Sequence, residues 1–323
     1  MPNNQLSIQG LNVFLHLSKS GSMQKAAVDL GLSISTVSHH MRNVEESVGV
    51  SLLDHSRRPM SLTPAGAIFA RHVEQGLRSI RLGANELASG NLPVVRELRL
   101  GNIDDFDAEV GPELAQILAK AMPNCAFEHY TQPSHEIIRM LLDRKLDAGV
   151  STRPASDIGG LLEYPILRDP FVIALPTSST VAPALFLEGK SGLPLLRYSR
   201  NLQVGNLIET HLRRIKVSLP NRFELESNQS MMGMVADGSG WAITTPTSYF
   251  RAKRFRGRIT LLPFPGKGFY RTLSVFTADD YPASMAEMIS SSLRRLISQF
   301  FVTPVTHTLP WLSNDFRVLN SGD

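Results

Sequence analysis

Six side chains between Ser33 and Arg42 carry hydrogen-bonding chemistry at helical spacing. Ser33, Ser35, Thr36, Ser38, His39 and Arg42 offer hydroxyls, an imidazole and a guanidinium, with Asn43 next in line. Val37, Met41, Val44 and Val48 recur at intervals of four, three and four, the buried stripe of an amphipathic helix. The polar groups lie away from that stripe. They suit contacts with base edges and phosphates in a major groove, although an ordinary solvated helix face has the same pattern. A second basic group follows at His55-Ser56-Arg57-Arg58-Pro59. Strand candidates at 51–54 and 61–63 flank it, so Arg57 and Arg58 stand at the tip of a hairpin that can reach phosphates or the minor groove.

Short helices must hold these groups in place. Leu11, Phe14, Leu15 and Ser18 fall at helical spacing within residues 8–19. Gly21-Ser22 breaks the pattern, and Ser22 is suited to cap a second helix from Met23 to Leu30. Gly31 supplies a tight turn because it tolerates a left-handed backbone. Ser33 caps a third helix that runs to about Val48 and closes at Gly49. Two short helices joined by a glycine turn form a helix-turn-helix. Thr63-Pro64 then opens a long helix to about Ser89, with Thr63 as N-cap and Pro64 at the first helical position. Phe69, Val73, Ile80 and Leu87 make a heptad stripe in it, with Gly76 and Gly83 between and Leu77 and Ala84 beside. The stripe reads as a dimerisation seam. Packing on its own domain is the competing reading.

Composition limits the remaining possibilities. The 323 residues are too many for one ordinary domain, and 42% apolar with 19% charged residues can fill sizeable cores. No run of eighteen apolar residues appears and the start lacks signal-peptide features, so a cytoplasmic location with no membrane span is expected. Cys125 is the only cysteine, which rules out an intrachain disulfide and cysteine metal clusters. A core packing role is expected for it. Neither HExxH nor GxSxG occurs, and neither an enzyme, a bound metal nor a cofactor is expected. The net charge of +4 permits nucleic-acid binding without arguing for it.

The N-terminal residues resemble the LysR-type transcriptional regulator family. The likeness runs through Leu11-x-x-Phe14, Gly21-Ser22-Met23, Ala26-Ala27, Leu30, Leu32-Ser33, Val37-Ser38, Glu45, Val48-Gly49, Leu52-Leu53 and Leu62-Thr63-Pro64-Ala65-Gly66. Departures occur at Ile34, His39, Leu53 and His55, where the family usually has Gln, Arg, Phe and Arg. The resemblance implies a winged helix-turn-helix, a long linker helix and a two-lobed α/β effector domain like a periplasmic binding protein. The corresponding boundaries are 1–63, 64–92, 93–301 and a C-terminal tail at 302–323.

Beyond a hinge at Asn91-Leu92-Pro93, strand and helix patterns alternate, as in an α/β fold with a mainly parallel sheet. Strands are expected at 97–103, 125–132, 146–151 and 171–176, with helices at 109–121 and 135–143. A second unit is expected from near Leu193, with strands at 194–198, 223–226 and 241–245 and helices at 205–213 and 229–237. A strand at 272–277 and a long helix at 284–300 then return to the first unit. The tail has no assigned counterpart.

Open α/β sheets bind ligands at the carboxyl ends of their strands. Those ends hold Asn102, Asp104, Asp105, Thr131, Gln132, Ser151, Thr152, Ser199, Arg200, Asn201 and Thr245. Two carboxylates at the first strand end would repel a simple anion. Arg200 on the facing lobe can pair with one of them or with an acidic ligand. Alternatively, Asp104, Asp105 or Asp107 simply caps the helix that follows. The family resemblance implies a sequence-specific regulator of transcription that binds double-stranded DNA as a homodimer or homotetramer, modulated by a small-molecule effector. A regulator that has lost DNA binding through Ile34 and His55 is the alternative.

Overall fold

In the computed structural model, residues 6–88, 96–156 and 158–320 are described, and the chain divides into two compact units, Met1–Gly90 and Asn91–Asp323. The expected hinge at Asn91-Leu92-Pro93 lies outside the described residues.

The first unit contains α1 (Ile8–Ser20), α2 (Met23–Leu30), α3 (Ile34–Val48), β1 (Leu53–Asp54), β2 (Ser61–Leu62) and α4 (Pro64–Ala88). Each helix start is fixed by a local side chain. The Ser7, Ser22 and Ser33 hydroxyls accept from the backbone N–H groups of Gly10, Lys25 and Thr36. Thr63 does the same for Gly66 at 3.0 Å. Gly21, Gly31 and Gly49 end α1 to α3 in the left-handed conformation. At Gly66 a Cβ would stand 2.0 Å from the Leu52 carbonyl oxygen, so α4 can meet the hairpin only through a residue without one. Val13, Phe14, Leu17, Val37, Met41 and Val44 fill the core.

That core settles half of the α4 stripe. Val73 and Leu77 are buried in it, and the Phe69 ring lies 5.4 Å from Phe14. The N-terminal half of the seam therefore packs on its own domain. Ile80 is 55% exposed, and the side chain of Leu87 lies outside those described.

The second unit has two mixed sheets. Its elements are β3 (Glu97–Asn102), α5 (Val110–Ala121), β4 (Ala126–Thr131), α6 (Ser134–Leu142), β5 (Ala148–Thr152), β6 (Leu161–Pro170), β7 (Val172–Pro176), α7 (Pro183–Leu187) and β8 (Leu195–Tyr198). They continue with α8 (Gln203–Arg214), β9 (Phe223–Leu225), α9 (Asn228–Ala236), β10 (Trp241–Thr244), α10 (Pro246–Arg251), β11 (Ile259–Pro263), β12 (Tyr270–Ala278), α11 (Ala283–Ile297), α12 (Thr303–Thr308) and β13 (Arg317–Val318). The first lobe is built on the order β13-β6-β12-β5-β3-β4, the second on β11-β7-β10-β8-β9.

Two expectations are corrected. The second lobe begins at β7, not near Leu193, because β7 pairs with β10 and β11. The sheets are not mainly parallel: β6, β7, β11, β12 and β13 all pair antiparallel. The tail, to which the sequence assigns no counterpart, packs on the domain. β13 adds an edge to β6, and Val305, Leu312 and Phe316 are buried in the domain core. Strand β6 escapes the sequence pattern because two prolines interrupt it; Pro165 sits at the bulge where the β6–β12 register shifts.

The lobes are joined where β6 runs into β7 through Phe171 and where β11 returns to β12 through residues 264–269. Phe171 donates its N–H to the Phe269 carbonyl at 2.9 Å, and the two rings stack with centroids 4.3 Å apart.

Candidate functional site

Two surfaces bring the expected residues together. On the first unit, Ser33, Ser35, His39 and Arg42 are exposed along α3, and Thr36 and Ser38 are half-buried beside them. Ser33 Oγ lies 2.8 Å from Ser35 Oγ and 2.7 Å from Thr36 Oγ1, forming a hydroxyl cluster at the helix start. His39 Nε2 lies 3.2 Å from Asn43 Nδ2 on the next turn. Together they present donors and acceptors for hydrogen bonding, with a permanent cation at Arg42.

The hairpin is anchored to α3 by Glu45. Its Oε1 accepts from the backbone N–H of Leu52 at 2.7 Å and of Leu53 at 3.2 Å. His55, standing where the family usually has Arg, has its Nε2 3.6 Å from Glu45 Oε2. At the tip, Arg57 Nε lies 3.2 Å from Asp54 Oδ2. The Ser56 hydroxyl and backbone N–H both donate to Asp54 and hold its carboxyl below the ordinary carboxylate range. Arg58 is exposed and has no ion-pair partner among the described residues.

In the second unit a cavity of about 270 Å³ opens between the lobes. Asp104, Asp105, Thr131 and Thr152 line it from the strand ends of the first lobe, as expected, together with Gln132. The other expected residues do not. Asn102 is turned to a separate small void beside His129. Ser151 is buried, donating to the Ser134 and Thr152 carbonyls. Ser199 and Asn201 are tied to each other in the turn before α8, where Ser199 Oγ accepts from Asn201 N–H. Thr245 is buried behind the cavity wall, capping α10 and accepting from Arg271 at 3.1 Å.

Arg200 does not face the aspartates. It points to solvent, its N–H donating to Glu224 Oε1 at 3.0 Å and its guanidinium 4.0 Å from Glu209. Two other arginines take the role expected of it. Arg251, at the end of α10, reaches Asp104 at 3.1 Å and Asp107 at 3.0 Å. Arg271, on β12, donates Nη2 to Asp105 at 2.7 Å and Nε to Asp169 at 2.9 Å. Ser248 Oγ closes this network on Asp105 Oδ1 at 2.9 Å. Asp105 is therefore neither a ligand-facing free carboxylate nor a helix cap; it ties the first lobe to the second.

Burial sets the electrostatics here. Removal from water raises the Asp104 carboxyl to about 6, Asp105 adds repulsion, and Arg251 opposes both. Asp169 is fully enclosed; burial pushes its carboxyl up, and Arg271 pulls it down. Arg271 is held firmly charged by Asp105 and Asp169 despite the cost of burial. Tyr198 also lines the cavity, with its hydroxyl 2.7 Å from Asn228 Oδ1 and 2.9 Å from Thr244 Oγ1; burial pushes its pKa far above the usual phenol value.

The residues that sequence reasoning missed, Ser134, Tyr198, Gln203, Asn228, Ser248 and Arg271, mostly lie on helix starts rather than strand ends. The N-capping pattern Ser227-Asn228 was the one available signal, since helix starts beside a sheet edge share its ligand crevice.

Comparison with known proteins gives the same division. Residues 8–67 match the model for the bacterial regulatory helix-turn-helix protein, lysR family, and residues 93–290 match the LysR substrate binding domain. A probable hydrogen peroxide-inducible genes activator of Mycobacterium xenopi is 29% identical over 190 residues, 59% of this chain and 97% of that protein. The HTH-type transcriptional regulator BbuR of Bordetella bronchiseptica is 24% identical over 94% of this chain and 91% of its own length. Among solved structures, a full-length OxyR variant of Pseudomonas aeruginosa superposes with a TM-score of 0.66 at 20% identity, covering 90% of this chain and 95% of that one. CbnR in complex with its target DNA gives 0.54 at 17% identity over 90% and 99%. The helix-turn-helix with its wing, the two-lobed domain behind it and the family matches across both units place this chain in the LysR family of DNA-binding transcriptional regulators with an effector-binding domain.

Proposed function

We propose that α3 and the hairpin tip make the DNA contacts, through Ser33, Ser35, Thr36, Ser38, His39 and Arg42 in the major groove and Arg57 and Arg58 on the backbone. A helix-turn-helix enters the groove with the polar start of its second helix, and that start is where the hydroxyl cluster lies. The part of α4 beyond Leu77, where Ile80 is exposed, is the segment available for pairing with a second copy. A dimer, or a tetramer built from two, would then present two recognition helices to a near-palindromic site. In this reading the chain divides functionally at 1–63, 64–92, 93–301 and 302–323, works in the cytoplasm and catalyses no reaction.

The observation that carries the effector reading is the cavity between the lobes. A molecule held there touches both lobes, so it can favour one lobe arrangement by its differential affinity. Its volume of about 270 Å³ suits a metabolite of about ten non-hydrogen atoms, given that about 150 Å³ holds benzene. Peroxide sensing by an intrachain disulfide does not carry over from the peroxide-responsive relatives, because Cys125 is the only cysteine and burial raises its thiol above the usual range.

The test uses the full-length protein and a DNA site selected from a random double-stranded library. Binding is expected to be sequence-specific and salt-sensitive, and a metabolite that alters it should lose its effect in Val204→Trp, which fills the cavity. Binding without sequence preference would refute the DNA reading. A metabolite response unchanged in Val204→Trp would refute the effector site.

A further inference from the structure

The charge of the cavity wall points to the class of molecule it takes. Among the described residues, Asp104, Asp105 and Glu226 line it as acids and Arg271 as the one base. Arg271 is already committed to Asp105, Asp169 and Thr245. Arg251 is committed behind the wall to Asp104 and Asp107. Three carboxyl groups and one guanidinium therefore line the cavity, and behind them Asp107 pairs with Arg251 and Asp169 with Arg271.

The donors nearest the ion network are already engaged. Ser248 Oγ is spent on Asp105, Tyr198 hydroxyl on Asn228, and Asn228 Nδ2 on the Ser248 carbonyl at 2.7 Å. These donors are used. Thr131, Gln132 and Thr152 offer uncharged groups of either sense, and the charged groups left to a ligand are acceptors: the Asp104 carboxyl, whose ion pair with Arg251 is through Oδ2, and Glu226, which has no partner among the described residues. Helices α6, α8 and α9 begin at the cavity wall, and each contributes at most about half a positive charge. That does not offset the excess of carboxylates.

We propose that the effector is a small organic cation, carrying an ammonium or guanidinium group that Asp104 Oδ1 and Glu226 receive. This inference rests on the cavity being the effector site. Among the described residues that line the cavity, the committed arginines leave an anionic molecule with no free cation to meet, while the apolar walls at Ile103, Leu202 and Val204 accept the carbon skeleton. Each ion pair between the cation and a wall carboxylate strengthens with the low polarity of the cleft.

The test is calorimetric titration of the full-length protein with agmatine and hexylamine against hexanoate and hexanol, which match hexylamine in length but carry negative or no charge. The two cations are expected to bind and the other two not. Glu226→Gln and Asp104→Asn, both at solvent-accessible positions, should each weaken cation binding about tenfold or more. Val204→Trp should abolish it. Binding of hexanoate or hexanol instead, lost in Val204→Trp, overturns the cationic class and leaves the cavity as the effector site. Cation binding that persists in Val204→Trp overturns the cavity as the site. Absence of binding by either cation at millimolar concentration overturns the cationic class, as does cation affinity unchanged in both carboxylate variants.

Discussion

Arg271 and Asp169 face each other across the antiparallel pair β6–β12, Nε to Oδ2 at 2.9 Å, where both strands leave the first lobe for the second. Arg271 is 5% exposed and Asp169 not at all, so neither charge has water to fall back on. Arg271→Met strands the Asp105 and Asp169 carboxylates in the interior. Removing one member of a buried ion pair costs about 3–5 kcal/mol, and a loss of that size is expected in the unfolding free energy from urea titration. A variant within about 0.5 kcal/mol of the parent would show that the network contributes little.

Asp104 gives a stability dependence on pH with a definite sign. Its carboxyl is raised from an ordinary 3.8 to about 6, first by burial and then by Asp105. The folded state thus holds this proton where the unfolded chain has released it, and stability contributed by the neutral form is lost as pH rises through the window from about 4 to 6. Asp104→Asn is neutral throughout. Its melting temperature relative to the parent should therefore improve from pH 4 to pH 7. About half of the Asp104 side chain is solvent-exposed, which limits the size of the effect. A relative melting temperature of the variant that is flat or falls from pH 4 to pH 7 would contradict the assignment.

Arg57 and Arg58 are neighbours with different commitments. Arg57 shares its charge with Asp54, whereas Arg58 has no such partner among the described residues. If each meets a phosphate, Arg58→Ala should reduce the slope of log affinity against log salt by about 1. Arg57→Ala should reduce it by less. Titration by fluorescence anisotropy at several salt concentrations measures both, and an unchanged slope for Arg58→Ala removes the wing from the interface.

Glu45 holds the wing to the recognition helix through two backbone N–H groups. In Glu45→Ala the Leu52 and Leu53 donors lose that acceptor, at about 1–3 kcal/mol. Melting of the N-terminal unit should fall accordingly, and DNA affinity should drop to a similar degree on specific and unrelated sequences. A loss confined to one base position would mean that Glu45 or its neighbours read sequence directly.

The first unit is legible in sequence because its determinants are local. Ser22 and its lysine donor are three residues apart, as are Ser33 and Thr36, and Gly31 and Gly49 act at their own positions. The second unit is legible where strands alternate with helices and opaque where distant residues meet. Asp105 reads as a free carboxylate or a cap; its partner Arg271 lies 166 residues away, and nothing near Arg271 in sequence marks it. Arg200 follows a strand, which points it to the cleft, but Glu224 and Glu209 offer it nearer acceptors outside. The α4 stripe shows the same limit. Heptad spacing reveals an apolar face but not its owner, and Phe14 claims Phe69 within the same domain.

The antiparallel crossing of β6 and β12 gives the effector domain an axle. Arg271, Asp169 and the stacked Phe171 and Phe269 rings sit on it, and the β13 edge braces it at Arg168 and Leu167. Rotation about such an axle displaces nearby atoms least and distant ones most. The ion network packed on it can therefore stay intact while the lobe surfaces that line the cavity shift. A ligand held between those surfaces works with leverage: its contacts lie off the axle, so they can bias the lobes without breaking the interior that holds them together.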